Sequence, residues 1–234
     1  MSLVFAKKEN CFLLLAEQRS ELWHRLRALR ISTTGVSKII GIGPKGKAED
    51  YRDELLGDKK VEETDAMRSG TAAEPNVRAF YKQQFPHVQL WSVGLCIPKD
   101  RPYVCGSPDD FAYDPKEPEG KREGIIEYKT TKKEKLYDVP FTSWLCQTTC
   151  MMGISKRHWV DLVHARVDEK NQVLEAWTKR FYFIPKEWDD ILAKECDSFY
   201  NDTLLPLYKE RGLELVPLQA DREVESCDDD ECKF

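Results

Sequence analysis

Three side chains in the middle of the chain carry the chemistry that the rest must position. Asp109 follows Gly106-Ser-Pro, and Glu127 and Lys129 stand two apart in Ile125-Ile-Glu-Tyr-Lys. On a strand, residues two apart project to one face, and here two apolar residues lead into the charged pair. Antiparallel pairing through the charged turn at 113–123 brings Asp109 beside Glu127. Hard oxygens from Asp109, Glu127 and the backbone carbonyl of Tyr128 suit Mg²⁺, with Mn²⁺ as a substitute. Such an ion lowers the pKa of a bound water and neutralises charge building on a phosphate. Lys129 is placed to hold or deprotonate the attacking water. Glu74, on a preceding helix, offers a further carboxylate for a second ion or a water. Together these residues point to metal-assisted phosphodiester hydrolysis. Glu-x-Lys alone recurs on solvent-facing strands; the upstream Ser-Pro-Asp, the apolar lead-in and Glu74 give it weight.

The elements that must position them alternate in type. Ser20 caps a helix over Glu21–Arg30, with Leu22, Leu26 and Leu29 at helical spacing. Ile31-Ser-Thr-Thr-Gly interrupts, Val36–Ile40 forms another helical turn, and the glycine-rich stretch 41–47 is a loop. No Gly-Lys-Ser/Thr follows, so that loop is not a nucleotide-binding P-loop. Tyr51–Leu56 is helical, and a longer helix covers Ala66–Phe85, with Pro75 adjusting its middle. Strands are expected at Val88–Ile97, Tyr103–Cys105 and Gly124–Thr131. A helix follows over Phe141–Ile154, then strands at His158–Arg166 and Glu175–Ile184, then a helix over Pro185–Lys209 opened by proline. This order is that of an α/β fold with a mixed sheet.

The chain has 234 residues, 41% of them hydrophobic and 33% charged. That composition supports a sizeable core and excludes a low-complexity or disordered chain. No apolar run approaches the roughly 20 residues of a membrane span, and the first residues do not read as a secretory leader. The expectation is a soluble, intracellular protein with no membrane partner. Its site is the host cytoplasm, or the nucleus of a eukaryotic host. The net charge of −5 is matched by residues 221–234, which hold seven acids and two bases. They read as an acidic, disordered tail behind a single domain at 1–220. Residues 19–47 hold seven basic side chains against Glu21, a segment suited either to phosphates or to a solvated helix face. Eight cysteines without a Cys-x-x-Cys pair argue for buried thiols rather than a zinc ribbon or a disulfide framework.

With these residues in view, Asp109…Glu127-Tyr-Lys129 resembles the PD-(D/E)xK nuclease motif. More narrowly, the chain is similar to the lambda-exonuclease and YqaJ-type viral recombinase nucleases, over about residues 20–184. Four stations appear in the family's order. They are Trp23-His-Arg-Leu-Arg27 with Ile31-Ser-Thr-Thr34, Gly70-x3-Glu74, the nuclease motif itself, and Trp144-Leu-Cys-Gln147. The resemblance implies a restriction-endonuclease-like core, a central mixed β-sheet flanked by helices. It implies that Arg27, Thr34, Ser107 and Gln147 bind the 5′-phosphate of the strand being cut, with Ser32 standing where the family has a threonine. A planar guanidinium grips a phosphate bidentately, which agrees with that role for Arg27. A surface salt bridge for Arg27, a packing role for Gln147 and burial of Trp23 under its helix are the plainer alternatives. Lys132, Lys133 and Lys135 read either as backbone contacts to DNA or as a solvated turn.

Two departures stand out. Asp109 and Glu127 are 18 positions apart, more than the family's usual spacing, and the excess lies in the charged turn. Asp110 follows Asp109 where the family often has glycine, which raises the question of which aspartate faces the ion; Asp109 is the one assigned here. Some related nucleases hold an iron–sulfur cluster, and Cys11, Cys196, Cys227 and Cys232 echo that pattern loosely, with the wrong spacing.

The resemblance implies 5′→3′ digestion of one strand of duplex DNA. Such digestion releases 5′-mononucleotides and leaves a 3′ overhang for a single-strand-annealing partner. It also implies a homotrimeric ring around double-stranded DNA ends. The competing readings are an endonuclease with the same core and a DNA-binding module that does not cut.

Overall fold

The computed structural model describes residues 5–7 (backbone only), 10–42 and 46–218. Residues 221–234, with Cys227 and Cys232, lie outside them, as do residues 43–45 of the glycine-rich loop. The elements in order are β1 (Phe5–Lys7), β2 (Cys11–Leu14), α1 (Glu21–Arg27), β3 (Ile31–Ser32), α2 (Val36–Ile39), α3 (Ala48–Leu56) and α4 (Asp65–Gln84). They continue with β4 (Gln89–Trp91), β5 (Leu95–Pro98), β6 (Val104–Cys105), β7 (Asp110–Tyr113), β8 (Glu123–Thr131), α5 (Thr142–Ser155), β9 (Trp159–Val167) and β10 (Val173–Tyr182).

The central sheet has the order β10-β9-β8-β7-β4. β8 and β9 run parallel, joined by a crossover through α5, and the other pairs are antiparallel. The sheet is therefore mixed, with helices over both faces. Alternation along β8 divides the core. Ile125 faces the cluster that includes Met151, Ile154 and Trp188, whereas Ile126 and Tyr128 face Ala73, Val77 and Tyr81 of α4. Each fully buried side chain of this size contributes about 1.5–3 kcal/mol relative to exposure.

Two small sheets lie beside it: β1-β2-β5, and the parallel pair β3-β6. The stretch Val88–Ile97, expected as one strand, is two strands in different sheets, broken at Ser92–Gly94. Gly94 N donates to Leu14 O, and a Cβ at Gly94 would stand 2.0 Å from Ala16 O. That close approach turns the chain out of the main sheet to pair with β2, a strand the sequence reading did not assign.

The helix α4 runs unbroken through Pro75, capped by Thr64 on Met67 N. The last helix is continuous from Pro185 to Arg211 but changes winding. Its α turns Pro185–Glu187, Ala193–Ser198 and Leu205–Arg211 alternate with π-helical stretches Trp188–Leu192 and Phe199–Leu204. No helix among the described residues is long and apolar enough to cross a membrane.

Candidate active site

The site opens where β7 begins and β8 continues past it. β7 pairs only with Glu123–Ile126 of β8, so the rest of β8 has no β7 partner. Asp109, one residue before β7, fills that gap: its Oδ2 accepts from Tyr128 N at 2.6 Å. A residue's N–H and C=O point to the same side of a strand. The Tyr128 carbonyl therefore lies on the Asp109 side of β8.

Glu127 and Lys129 share the other face of β8 with α5. Lys129 Nζ donates to Glu127 Oε1 at 2.6 Å and to Gln147 Oε1 at 3.0 Å, and Gln147 Nε2 donates to Glu127 Oε1 at 2.7 Å. Glu127 is buried, with 4% of its surface exposed, and this triangle compensates its charge there. Helix α4 brings Glu74 to the same cleft, which encloses about 330 Å³ and is lined by Asp109, Glu127, Lys129 and Gln147.

The carboxylates burden one another. Burial pushes the Asp109 carboxyl well above the usual range, and the neighbouring Glu127 and Glu74 push it further. Burial also raises Glu74, with Arg19 drawing it back down. Convergent carboxylates held against desolvation call for a cation. Among the described residues, no three His, Cys, Asp or Glu side chains are arranged to hold an ion by themselves. The remaining oxygens of Asp109 and Glu127, with the Tyr128 carbonyl, fit Mg²⁺, which keeps several waters and takes one or two carboxylates.

Asp110 faces away from the cleft. Its Oδ2 accepts from Arg78 Nε at 2.7 Å and from Tyr128 Oη at 2.9 Å, on the α4 side of the sheet. It braces Tyr128 from behind while Asp109 holds its amide from the edge. Asp109 is thus the aspartate on the cleft side.

The residues assigned to a phosphate divide into two places. Arg27 Nη2 is 3.4 Å from Thr34 Oγ1 and its guanidinium lies over the Trp23 ring at 5.0 Å. Trp23 Nε1 donates to Ser107 Oγ at 2.8 Å and to Gly94 O at 2.9 Å. Arg27, Thr34 and Ser107 thus line one part of the cleft, and Trp23 links them while its half-buried ring packs against the cluster of Leu14, Leu26 and Leu95. Gln147 sits with Glu127 and Lys129 instead. Ser32 is turned inward, within hydrogen-bond distance of Thr34 Oγ1 and Tyr51 Oη.

The basic segment is split as well. Arg30 is buried, donating to Pro102 O and Val216 O at 2.8 and 2.7 Å. Lys38 pairs with Glu54 at 2.6 Å. Arg19 and Arg27 are left lining the cleft. Past β8, Lys132 pairs with Glu169 at 2.9 Å, Lys133 donates to Tyr137 Oη, and Lys135 is exposed.

Sequence reasoning missed Gln18, which donates to Val93 O at 3.2 Å and Pro108 O at 2.7 Å. It ties the Ser107-Pro-Asp turn to the chain leading into α1. Only contacts distant in sequence identify it. Cys11 and Cys196 are both buried: Cys11 neighbours Cys96, and Cys196 neighbours Cys146 and Cys150. The other two cysteines of the iron–sulfur echo lie outside the described residues.

No curated protein matches the chain. Among solved structures it is similar to an alkaline exonuclease (LHK-Exo) from Laribacter hongkongensis, at TM-score 0.64 and 20% identity, over 82% of this chain and 97% of that one. The LHK-Exo complex with dAMP gives TM-score 0.63 and 18% identity, over 82% and 98%. A phage-related exonuclease from Haemophilus somnus 129PT gives TM-score 0.55 and 12% identity, over 77% and 97%. At these identities the likeness is one of fold. The sequence model for the YqaJ-like viral recombinase domain matches residues 22–158, a span holding Arg27, Glu74, Asp109, Glu127, Lys129 and Gln147. The chain belongs to the YqaJ-like viral recombinase domain family.

Proposed function

We propose that this protein is a metal-dependent 5′→3′ exonuclease acting on the ends of double-stranded DNA. The observation that carries the reading is the convergence of Asp109, Glu127 and Lys129 at the open edge of β8, beside Arg27, Thr34 and Ser107. Family membership and the alkaline exonuclease fold support the nuclease class.

Asp109, Glu127 and the Tyr128 carbonyl would hold Mg²⁺ or Mn²⁺, with Glu74 close by for a second ion or a water. When bound, the ion supplies Lewis-acid stabilisation of the phosphate and a more acidic water. The chain's own residues do the rest. Lys129 has its ammonium between Glu127 and Gln147, where it can orient the attacking water; its neutral amine form, with one proton released to solvent, can take the proton of that water. Gln147 fixes the geometry of that pair.

Arg27 and Thr34, with the Ser107 hydroxyl, receive the terminal 5′-phosphate. An indole N–H only donates, so the Ser107 oxygen accepts from Trp23 and its own proton is left to give to phosphate. A phosphate held beyond the reacting centre gives register for one nucleotide at a time. Each cut then presents a fresh 5′-phosphate to the same pocket. In this reading a homotrimeric ring would keep the enzyme on DNA between cuts, and the 3′ overhang would pass to a single-strand-annealing protein. The compartment is the host's cytoplasm, or its nucleus if the host is eukaryotic.

The test is digestion of a linear duplex labelled separately at each 5′ and 3′ end, with Mg²⁺ and then with EDTA. Early release of the 5′ label as mononucleotide, stopped by EDTA, is the expected result. Early loss of the 3′ label would reverse the polarity, and nicking of a circular duplex at a comparable rate would favour an endonuclease.

A further inference from the structure

Arg19 holds a backbone conformation that its side chain makes costly. Its φ is +67°, in the left-handed region where Cβ crowds the following carbonyl and glycine is the usual occupant. The chain on both sides is pinned. Gln18 is tied to Val93 O and Pro108 O, and Ser20 caps α1 through its hydroxyl on Trp23 N. Strain of this kind persists where neighbours over-determine it, and it concentrates where a side chain must be aimed.

The Arg19 side chain is one wall of the cleft, alongside Glu74, Asp109 and Arg27. It is exposed, and among the described residues it makes no hydrogen bond or ion pair, although its field reaches Glu74. Its five N–H donors are therefore available to a ligand. The other cations of the cleft are engaged: Lys129 with Glu127 and Gln147, and Arg27 with Thr34 and the Trp23 ring.

We propose that Arg19 is a phosphate-binding residue of this cleft, gripping a backbone phosphate of the DNA strand other than the terminal one assigned to Arg27. The proposal rests on the nuclease reading and deepens it. A guanidinium suits a diester because two parallel N–H donors meet two phosphate oxygens. The charged lining is balanced, with Arg19, Arg27 and Lys129 against Glu74, Asp109 and Glu127. Without Arg19 the wall next to Glu74 would repel a phosphate.

The strained backbone makes the test clean, because Arg19→Gly relieves the left-handed conformation instead of damaging the fold. Wild type, Arg19→Gly and Arg19→Lys are compared in thermal unfolding and in anisotropy of a 5′-phosphorylated linear duplex across KCl concentrations with EDTA. Mononucleotide release with Mg²⁺ is the third readout. Arg19→Gly is expected to melt at or above the wild-type temperature while binding DNA about 5-fold more weakly. Its slope of log affinity against log salt is expected to fall by about 1. Arg19→Lys is expected to keep that slope. Unchanged affinity and slope in Arg19→Gly would overturn the proposal, as would a wild type that does not bind the duplex. Wild type that binds DNA with the Arg19-dependent slope but releases no nucleotide would sink the nuclease reading and leave the phosphate contact standing.

Discussion

Trp23 donates its indole N–H to the Ser107 hydroxyl at 2.8 Å, across 84 residues of sequence. The bond joins helix α1, which carries Arg27, to the turn that carries Asp109. It couples the place that would read a DNA end to the place that would cut it. Trp23→Phe keeps most of the ring packing and removes the donor. One such bond is worth about 1 kcal/mol, so the preference for a phosphorylated over a hydroxyl 5′ end should fall roughly 5-fold. Initial rates on the two substrates measure it.

Gln147 makes a different prediction, because its amide joins Glu127 and Lys129 rather than Arg27. Gln147→Ala should lower kcat by about 10- to 100-fold, the range seen when ligand-orienting partners are lost. The ratio of rates on phosphate and hydroxyl ends should stay unchanged. A collapse of that ratio would return Gln147 to the phosphate pocket that the family resemblance implies.

Asp109 ties pH to stability. Its carboxyl is raised above the ordinary 3.8 by burial and by Glu127 and Glu74. Between the unfolded and the raised folded pKa the native state holds the extra proton, so stability falls as pH rises through that window. Above the folded value the full destabilisation is present. Asp109→Asn should therefore raise the unfolding midpoint of the metal-free protein at neutral pH and flatten its dependence above pH 4. Mg²⁺ at about 100 times its Kd should add roughly 2.7 kcal/mol to wild type and much less to Asp109→Asn. Calorimetric scans from pH 4 to 9, with and without Mg²⁺, check both.

Arg78 braces the site from behind through Asp110, whose side chain is fully buried. Arg78→Ala leaves that carboxylate with Tyr128 as its nearest strong partner and should cost roughly 2 kcal/mol of stability. Equilibrium urea unfolding reads it, and an unchanged midpoint would remove Asp110 from the support of β8.

Much of this arrangement was legible in the sequence where the signal is local. The alternation Ile125-Ile-Glu-Tyr-Lys places Glu127 and Lys129 on one face, and the turn after Tyr113 returns the chain antiparallel, as the register Asp110↔Ile126 has it. What was not legible depends on contacts distant in sequence. The break at Gly94 follows from its approach to Ala16 O, and nothing in Val88–Ile97 announces it. The two aspartates at 109 and 110 are separated only by strand alternation, which sends one to the edge and the other under the sheet. Ser32 reads as a cleft hydroxyl until Tyr51 is seen to cover it, at 2.8 Å from its amide and 3.1 Å from its hydroxyl. The basic run 19–47 carries no mark that Arg30 is buried while Arg19 is not.

The most direct measurement is mononucleotide release from a 5′-phosphorylated linear duplex by wild type and Lys129→Ala, at protein concentrations matched for DNA binding. The ligands for the ion remain in that variant, so it should bind the duplex and Mg²⁺ as wild type does. Cleavage should nonetheless fall by at least about 10³-fold, because the group that readies the water is gone. Turnover at the wild-type rate by Lys129→Ala would contradict the account.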